Sequence, residues 1–444
     1  MTSDKPVIHI IDDANSEVTI GNYLMLTIES ILKTVHKYSD YKYNNLFLTE
    51  IDFSKEPPEE IIRLAQYIKS QPQLIKINLT YSNFTGITDL ELIRPLFEAI
   101  FTHPNIRILD LAVCKLGRNL PIFAMIAEYI AQSNIIELSL NLNRFNKDDC
   151  DPSFLDSVTL ILSNPYLRKL KLDRLRPGRA NADQLAIFIT ALAECQELQY
   201  LDFQENALDE LPIPLFEALG KTLANLQNLR HLSLAGCQMG KIVTREGDGK
   251  FGITVQFIYD FIMAILELKY LTSLDLSHNL LGQFLCDDII DLMVKIQQQH
   301  TLEYINLNGN AFSIVQEFQP QFLGLFVEQI RQSAFPQEIR ICLNNGFTHE
   351  EILQLEAAIN DPERLAKKPE STTPLDNKEN DSNSDGVNWQ FFREPKQITQ
   401  SAAAQAAASS SCASVAVSQD VAAETIADAA RTSSTASSSP TFPH

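Results

Sequence analysis

The chain has 444 residues, 45% of them hydrophobic, which excludes a wholly disordered protein and leaves room for a few compact domains or one elongated repeat array. A formal net charge of -20 and a pI of about 4.8 argue against nucleic acid or an anionic membrane as the main partner, since both would be repelled by the average field. No apolar run reaches about 18 residues and the N-terminal "MTSDKPVIHIIDDANSE" lacks a signal-peptide core, so no membrane insertion is expected.

Residues 1–42 come first, and within them "GNYLMLTIESILKTVHKY" predicts a helix over 21–38. From Tyr43 a pattern of the form LxxLxLxxNxL begins and recurs. Clear copies start at 74, 106, 135, 198, 229, 271 and 302, and weaker ones at 43, 167 and 338. Successive starts are 31, 32, 29, 32, 31, 31, 42, 31 and 36 residues apart, a regularity that chance does not produce. Positions four to six of the template alternate as a short half-buried strand does. At position nine, Asn143, Asn206, Asn279 and Asn310 carry an amide that donates and accepts, suited to pairing loop backbone that stacking would bury. Cys114 and Cys237 stand there in two copies and Leu175 in a third, where a local distortion is expected. Between the strands lie helical patterns such as "DLELIRPLFEAIF" and "IPLFEALGKTLANL".

A strand and a helix in each of about ten units resemble the leucine-rich repeat family, in its ribonuclease-inhibitor-like subclass, over residues 43–347. The resemblance implies an α/β solenoid, a horseshoe with a parallel concave sheet and convex helices. Residues 1–42 then form an N-terminal cap. "THEEILQLEAAIN", 348–360, forms a C-terminal capping helix, opened by a Thr348/Glu351 capping box. From Asp361 the sequence turns polar and then rich in Ala, Ser and Thr, and residues 361–444 are expected to be a disordered tail. That tail ends "SSSPTFPH" and resembles the secretion signals of type IV secreted effectors of intracellular bacterial pathogens. The resemblance implies delivery into host cytosol and a eukaryotic host protein as partner. Its only tryptophan lies in "WQFFREP" from Trp389, an aromatic segment of the kind that docks.

Candidate chemistry is sparse. The seven cysteines, Cys114, Cys150, Cys195, Cys237, Cys286, Cys342 and Cys412, are odd in number and form no CxxC pair. They fit a reducing, cytoplasmic setting and imply neither a disulfide framework nor a zinc site. Cys286, in "CDD", resembles the nucleophile motif of bacterial leucine-rich-repeat ubiquitin ligases, but it opens a repeat helix and no catalytic domain follows. His231 and His278, on neighbouring strands, lack a third metal ligand. The sequence therefore assigns no catalytic residue, metal or cofactor.

Recognition is better marked. Template positions three, five and seven project from the exposed sheet face and present tyrosines among charges: Tyr200, Asp202, His231, Asp275 and Tyr304. The unit at 167 concentrates Arg168, Lys169, Lys171, Arg174, Arg176 and Arg179 in an otherwise acidic chain, which suits an acidic protein surface or a phosphate. An insertion, "GKIVTREGDGKFG" at 240–252, brings Arg245. The expected function is non-enzymatic binding of a partner protein by a monomer. The alternative is a GTPase-activating protein of the leucine-rich repeat type, for which Arg144, Arg174 and Arg245 are the loop cations.

Overall fold

The structure is a computed structural model that describes residues 7–11, 17–21, 27–37, 44–145, 151–241, 251–332 and 336–366. The Trp389 segment, Cys150, Cys412, Arg245 and the expected tail from 367 onward lie outside the described residues. Two strands, β1 (Val7–Ile11) and β2 (Glu17–Gly21), pair antiparallel. Ten further strands pair in parallel, each with the next in sequence. They are β3 (Asn45–Phe47), β4 (Lys76–Asn78), β5 (Ile108–Asp110), β6 (Glu137–Ser139), β7 (Lys169–Lys171), β8 (Tyr200–Asp202), β9 (His231–Ser233), β10 (Ser273–Asp275), β11 (Tyr304–Asn306) and β12 (Glu338–Arg340). In each of the ten the middle residue is buried, from Leu46 to Ile339, while the residues beside it point to the other face. That is the period-two consequence of a strand covered on one side only.

Helices flank the sheet. Leu90–Phe101 starts at Asp89, whose side chain accepts the Glu91 N–H at 3.0 Å, and it buries Ile93, Leu96, Phe97 and Ile100 at helical spacing. Ala182–Ala193 opens on a capping box between Asn181 and Gln184. Phenylalanines knit repeats together: Phe53 stacks on Phe84 with centroids 4.9 Å apart, and Phe145 lies 4.8 Å from Phe123 and 5.1 Å from Phe154.

Position nine is a ladder of side chains. Each amide or thiol donates to the carbonyl at position six of the preceding repeat: Cys114 to Leu79 at 3.0 Å, Asn143 to Leu111 at 2.8 Å, Asn206 to Leu172 at 2.9 Å and Asn310 to Leu276 at 3.0 Å. Leu175 cannot donate, yet it is buried and the β6–β7–β8 register is uninterrupted. The departure appears elsewhere in the turn. In other repeats the position-eight N–H reaches the next repeat's backbone, as from Val113 to the Asn141 carbonyl at 2.8 Å and from Glu205 to the Ala235 carbonyl at 2.8 Å. At the Leu175 junction the Leu142 N–H instead reaches Asp173 Oδ1 at 2.9 Å, and the Asp173 N–H reaches Asn141 Oδ1 at 3.2 Å. Two side chains replace a backbone rung there.

Three boundaries differ from the sequence expectation. Residues 21–38 are not one helix: β2 runs to Gly21 and the helix is Ile28–Lys37, because "EVTIG" alternates in β-branched residues. The last repeat starts at 336 rather than 338, since Glu338 pairs with Tyr304 at position three; its interval is 34 (336 − 302), and one extra residue places the ladder amide at Asn345. At the C-terminal end Thr348 and Glu351 form their capping box over His349–Ile359. A short helix, Pro362–Ala366, follows where the sequence marks the start of the tail. Its Arg364 is 1% exposed and donates to the Ile359 carbonyl at 2.9 Å and to the Pro336 carbonyl, so a charged side chain ties the cap to the last repeat.

Candidate partner-binding face

The register places the side chains of the open sheet face in rows. Lys169, Tyr200 and His231 align across β7, β8 and β9, and Lys171, Asp202 and Ser233 align beside them. Lys169 Nζ sits 4.5 Å from the Tyr200 ring centroid and Lys171 Nζ 5.7 Å from it. The His231 ring packs against Tyr200 at 5.6 Å and 37°. An ammonium over an aromatic face contributes about 0.5–1 kcal/mol where water still reaches it, so the two lysines and the ring hold one another in place. Tyr200 is thereby a pre-positioned aromatic platform ringed by charge.

Acids interleave with these cations. Burial pushes the carboxyls of Glu137 and Asp202 up, opposed by Lys169 and Lys76 at Glu137, and by the Gln204 N–H and Lys171 at Asp202. Asp173 is pushed up to about 6 by burial and by the Asp202 charge. An unfolded aspartate titrates near 3.9, so folding takes up a proton in the window from about pH 4 to 6, and the stability that Asp173 contributes falls as pH rises through it. Asp173→Asn keeps an oxygen acceptor for the Leu142 N–H but removes the charge. Allowing for partial solvent screening, it is expected to raise the unfolding free energy by about 1 kcal/mol at neutral pH and by little near pH 4. Equal gains at both pH values in urea titrations would refute the assignment.

The other cations of the 167 unit are met by the repeats on either side, Arg174 and Arg176 by the next one and Arg179 by the one before. Arg174 pairs with Glu205 at 2.7 Å, Arg176 pairs with Glu210 through Nε at 3.0 Å, and Arg179 donates to the Phe145 carbonyl at 3.2 Å. Arg168 precedes β7, where its backbone N–H reaches the Ile136 carbonyl at 2.8 Å. The basic cluster thus divides into Lys169 and Lys171 on the face and two arginines in ion pairs at the loop edge. Arg174, a candidate for phosphate chemistry, is held by Glu205.

Asp275 and Tyr304 lie further along the same face. Asp275 accepts from Ser277 at 2.7 Å and from Asn306 at 3.0 Å. The Arg340 guanidinium sits 5.1 Å over Tyr304 and pairs with Glu338 at 2.7 Å. Arg340 went unmarked in the sequence, because the weak last copy obscures its register. His278 stands at template position eight, outside the face row that holds His231, and its ring lies against Gly309: a Cβ on Gly309 would lie 2.3 Å from His278 Nδ1. Among the described residues no group of three or more His, Cys, Asp or Glu could hold a metal ion. Cys286 is buried at the start of Cys286–Gln298, and burial followed by the Asp287 charge pushes its thiol up, away from the reactive thiolate. Among the described residues no helix is long and apolar enough to cross a membrane.

A parallel sheet built from single-strand repeats, helices on its flank and a position-nine side-chain ladder define a leucine-rich repeat solenoid, and its exposed face is suited to protein recognition. Among solved structures, the leucine-rich repeat-containing protein LegL7 from Legionella pneumophila is similar, with 18% identity and a TM-score of 0.46 over 75% of this chain and 93% of that one. Human 5T4 (Wnt-activated inhibitory factor 1, trophoblast glycoprotein) matches at 19% identity and a TM-score of 0.32 over 60% of this chain and 80% of that one. The tropomodulin C-terminal domain of Caenorhabditis elegans matches at 14% and 0.23 over 45% of this chain and 93% of that one. No protein-family model matches the chain, and no curated protein does.

Proposed function

We propose that the protein is a recognition scaffold that acts by binding, and that it grips a partner protein on the exposed sheet face around β7, β8 and β9. The observation that carries this is Tyr200, an aromatic anchor fixed between Lys169, Lys171 and His231. Side chains already held in place lose little freedom on binding, which favours affinity. The alternating lysines and carboxylates select a partner whose charges are arranged in complement, rather than a uniformly acidic one. In the finer reading the partner is a eukaryotic host protein and the chain a secreted effector, on the strength of the tail composition that ends at Phe442.

The test uses the full chain as bait in eukaryotic and bacterial lysates, beside Lys169→Glu/Lys171→Glu. The expected result is a protein retained from the eukaryotic lysate, with affinity at least about tenfold weaker for the variant. Retention of the same protein at unchanged affinity removes the face from the account, and retention from the bacterial lysate alone removes the host partner.

A further inference from the structure

Position eight of the first nine repeats has a left-handed backbone, and the last repeat has it one residue later at Asn344; glycine and asparagine adopt this conformation most readily. Gly236 (φ 65°) and Gly309 (φ 70°) occupy it in later repeats. The second, third and fourth repeats instead place Tyr81 (φ 64°), Val113 (φ 61°) and Leu142 (φ 58°) there. Tyr81 is 60% exposed and Leu142 38% exposed, so two of these bulky apolar side chains reach solvent from a backbone that resists them. Core packing does not account for such a row.

Beside it runs a second row. Lys115 and Arg144 stand two positions on, at φ 56° and 66°, and Arg118 opens outward one turn further. Among the described residues these three cations have no acidic partner, unlike Arg174 and Arg176 in the next repeat, and they belong to a chain of net charge -20. Glu50 closes the position-eight row at its outer end, and the Arg174–Glu205 pair closes it at the other.

We propose that this loop edge is a docking ridge for an acidic amphipathic helix of a partner protein. Neighbouring strands lie about 4.8 Å apart and an α-helix rises about 5.4 Å per turn, so a helix laid across the repeats sets one turn on each. Apolar residues at i, i+4 and i+7 then meet Tyr81, Val113 and Leu142 in order. Carboxylates on the helix flank reach Lys115, Arg118 and Arg144. The ridge is separate from the sheet face and does not depend on it.

The test measures fluorescence anisotropy of a labelled synthetic peptide of about 18 residues, with leucines at i, i+4, i+7 and i+11 flanked by glutamates, titrated with the full chain. Two controls replace the glutamates by lysines or insert a central proline. The acidic helix is expected to bind at least about tenfold more tightly than either control. Tyr81→Asn/Leu142→Asn is expected to weaken it by a similar factor without lowering the thermal midpoint, since asparagine accepts the left-handed backbone. Lys169→Glu/Lys171→Glu should bind it unchanged, which separates this surface from the face. Equal binding of the lysine peptide, or unchanged binding by the asparagine variant, overturns the proposal. Equal binding of the proline peptide replaces the helix by an extended acidic segment. Self-association of the chain that the asparagine variant abolishes makes a second copy the occupant.

Discussion

Asn279→Ala is expected to lower the unfolding free energy by about 3 kcal/mol, among the largest effects available to a single side chain in this fold. Asn279 is fully buried, and its Nδ2 lies 2.8 Å from the Leu234 carbonyl, 3.0 Å from that of Leu276 and 3.1 Å from that of Ser277, while Oδ1 faces the Met239 N–H at 3.4 Å. Leu276 keeps a second donor in Asn310 and Leu234 keeps only the longer bond from the Cys237 N–H at 3.4 Å, while the Met239 N–H loses its acceptor where water cannot enter. Each buried group left unpaired costs about 1–3 kcal/mol, and the space vacated by the amide adds to that. Asn279→Cys should cost less, because Cys237 fills the same role with a thiol 3.2 Å from the Phe203 carbonyl. Denaturant titrations that place the alanine variant within about 0.5 kcal/mol of the parent would show that the ladder contributes little to stability.

A comparable loss, about 3 kcal/mol, is expected for Gly282→Ala, for a steric reason. The Gly282 N–H donates to the Asn310 carbonyl at 2.8 Å, and an added Cβ would fall 2.2 Å from the Ala311 carbonyl oxygen and 2.5 Å from its carbon. Those atoms are backbone of the next repeat and cannot swing aside, so the two repeats must separate. Gly324→Ala supplies the contrast. Nothing lies within 4 Å of its added Cβ, and it sits inside the helix Phe322–Gln332, where alanine is favoured by about 0.5–1 kcal/mol. Thermal midpoints that move in opposite directions for the two variants meet the expectation; equal shifts would refute it.

How much of this was legible depends on whether a feature repeats in sequence or only in space. The leucines at positions four and six recur in most copies, and position nine holds asparagine in four clear copies with cysteine in two more, so the strands, their buried face and the ladder could be read directly. Position twelve was missed: Gly117, Gly178, Gly240 and Gly282 stand there, but in four copies only, and a glycine announces no contact until the neighbouring backbone is in view. The basic residues of the 167 unit were visible, whereas Glu205 and Glu210, which neutralise Arg174 and Arg176, lie 31 and 34 residues away and become partners only through the register. The aromatic–lysine grouping at Tyr200 was half legible, since Lys169 and Tyr200 share a template position. The left-handed row at Tyr81, Val113 and Leu142 left no trace in residue type, because those residues are poor at the conformation they adopt.

The rewired turn at Leu175 bears on how the array holds together as a whole. In a solenoid each unit touches only its neighbours, so stability is close to a sum over junctions and the weakest one sets where cooperativity breaks. The junction of β6 with β7 has no position-nine donor and carries a titrating carboxylate in place of a backbone rung. Two stretches of repeats, each fully laddered to its own end, therefore meet at a softer joint. Tyr200 and its lysines lie on one side of that joint and Glu137 on the other. A ligand laid over both acts as a splint, tying the stretches into a single cooperative unit for as long as it stays bound.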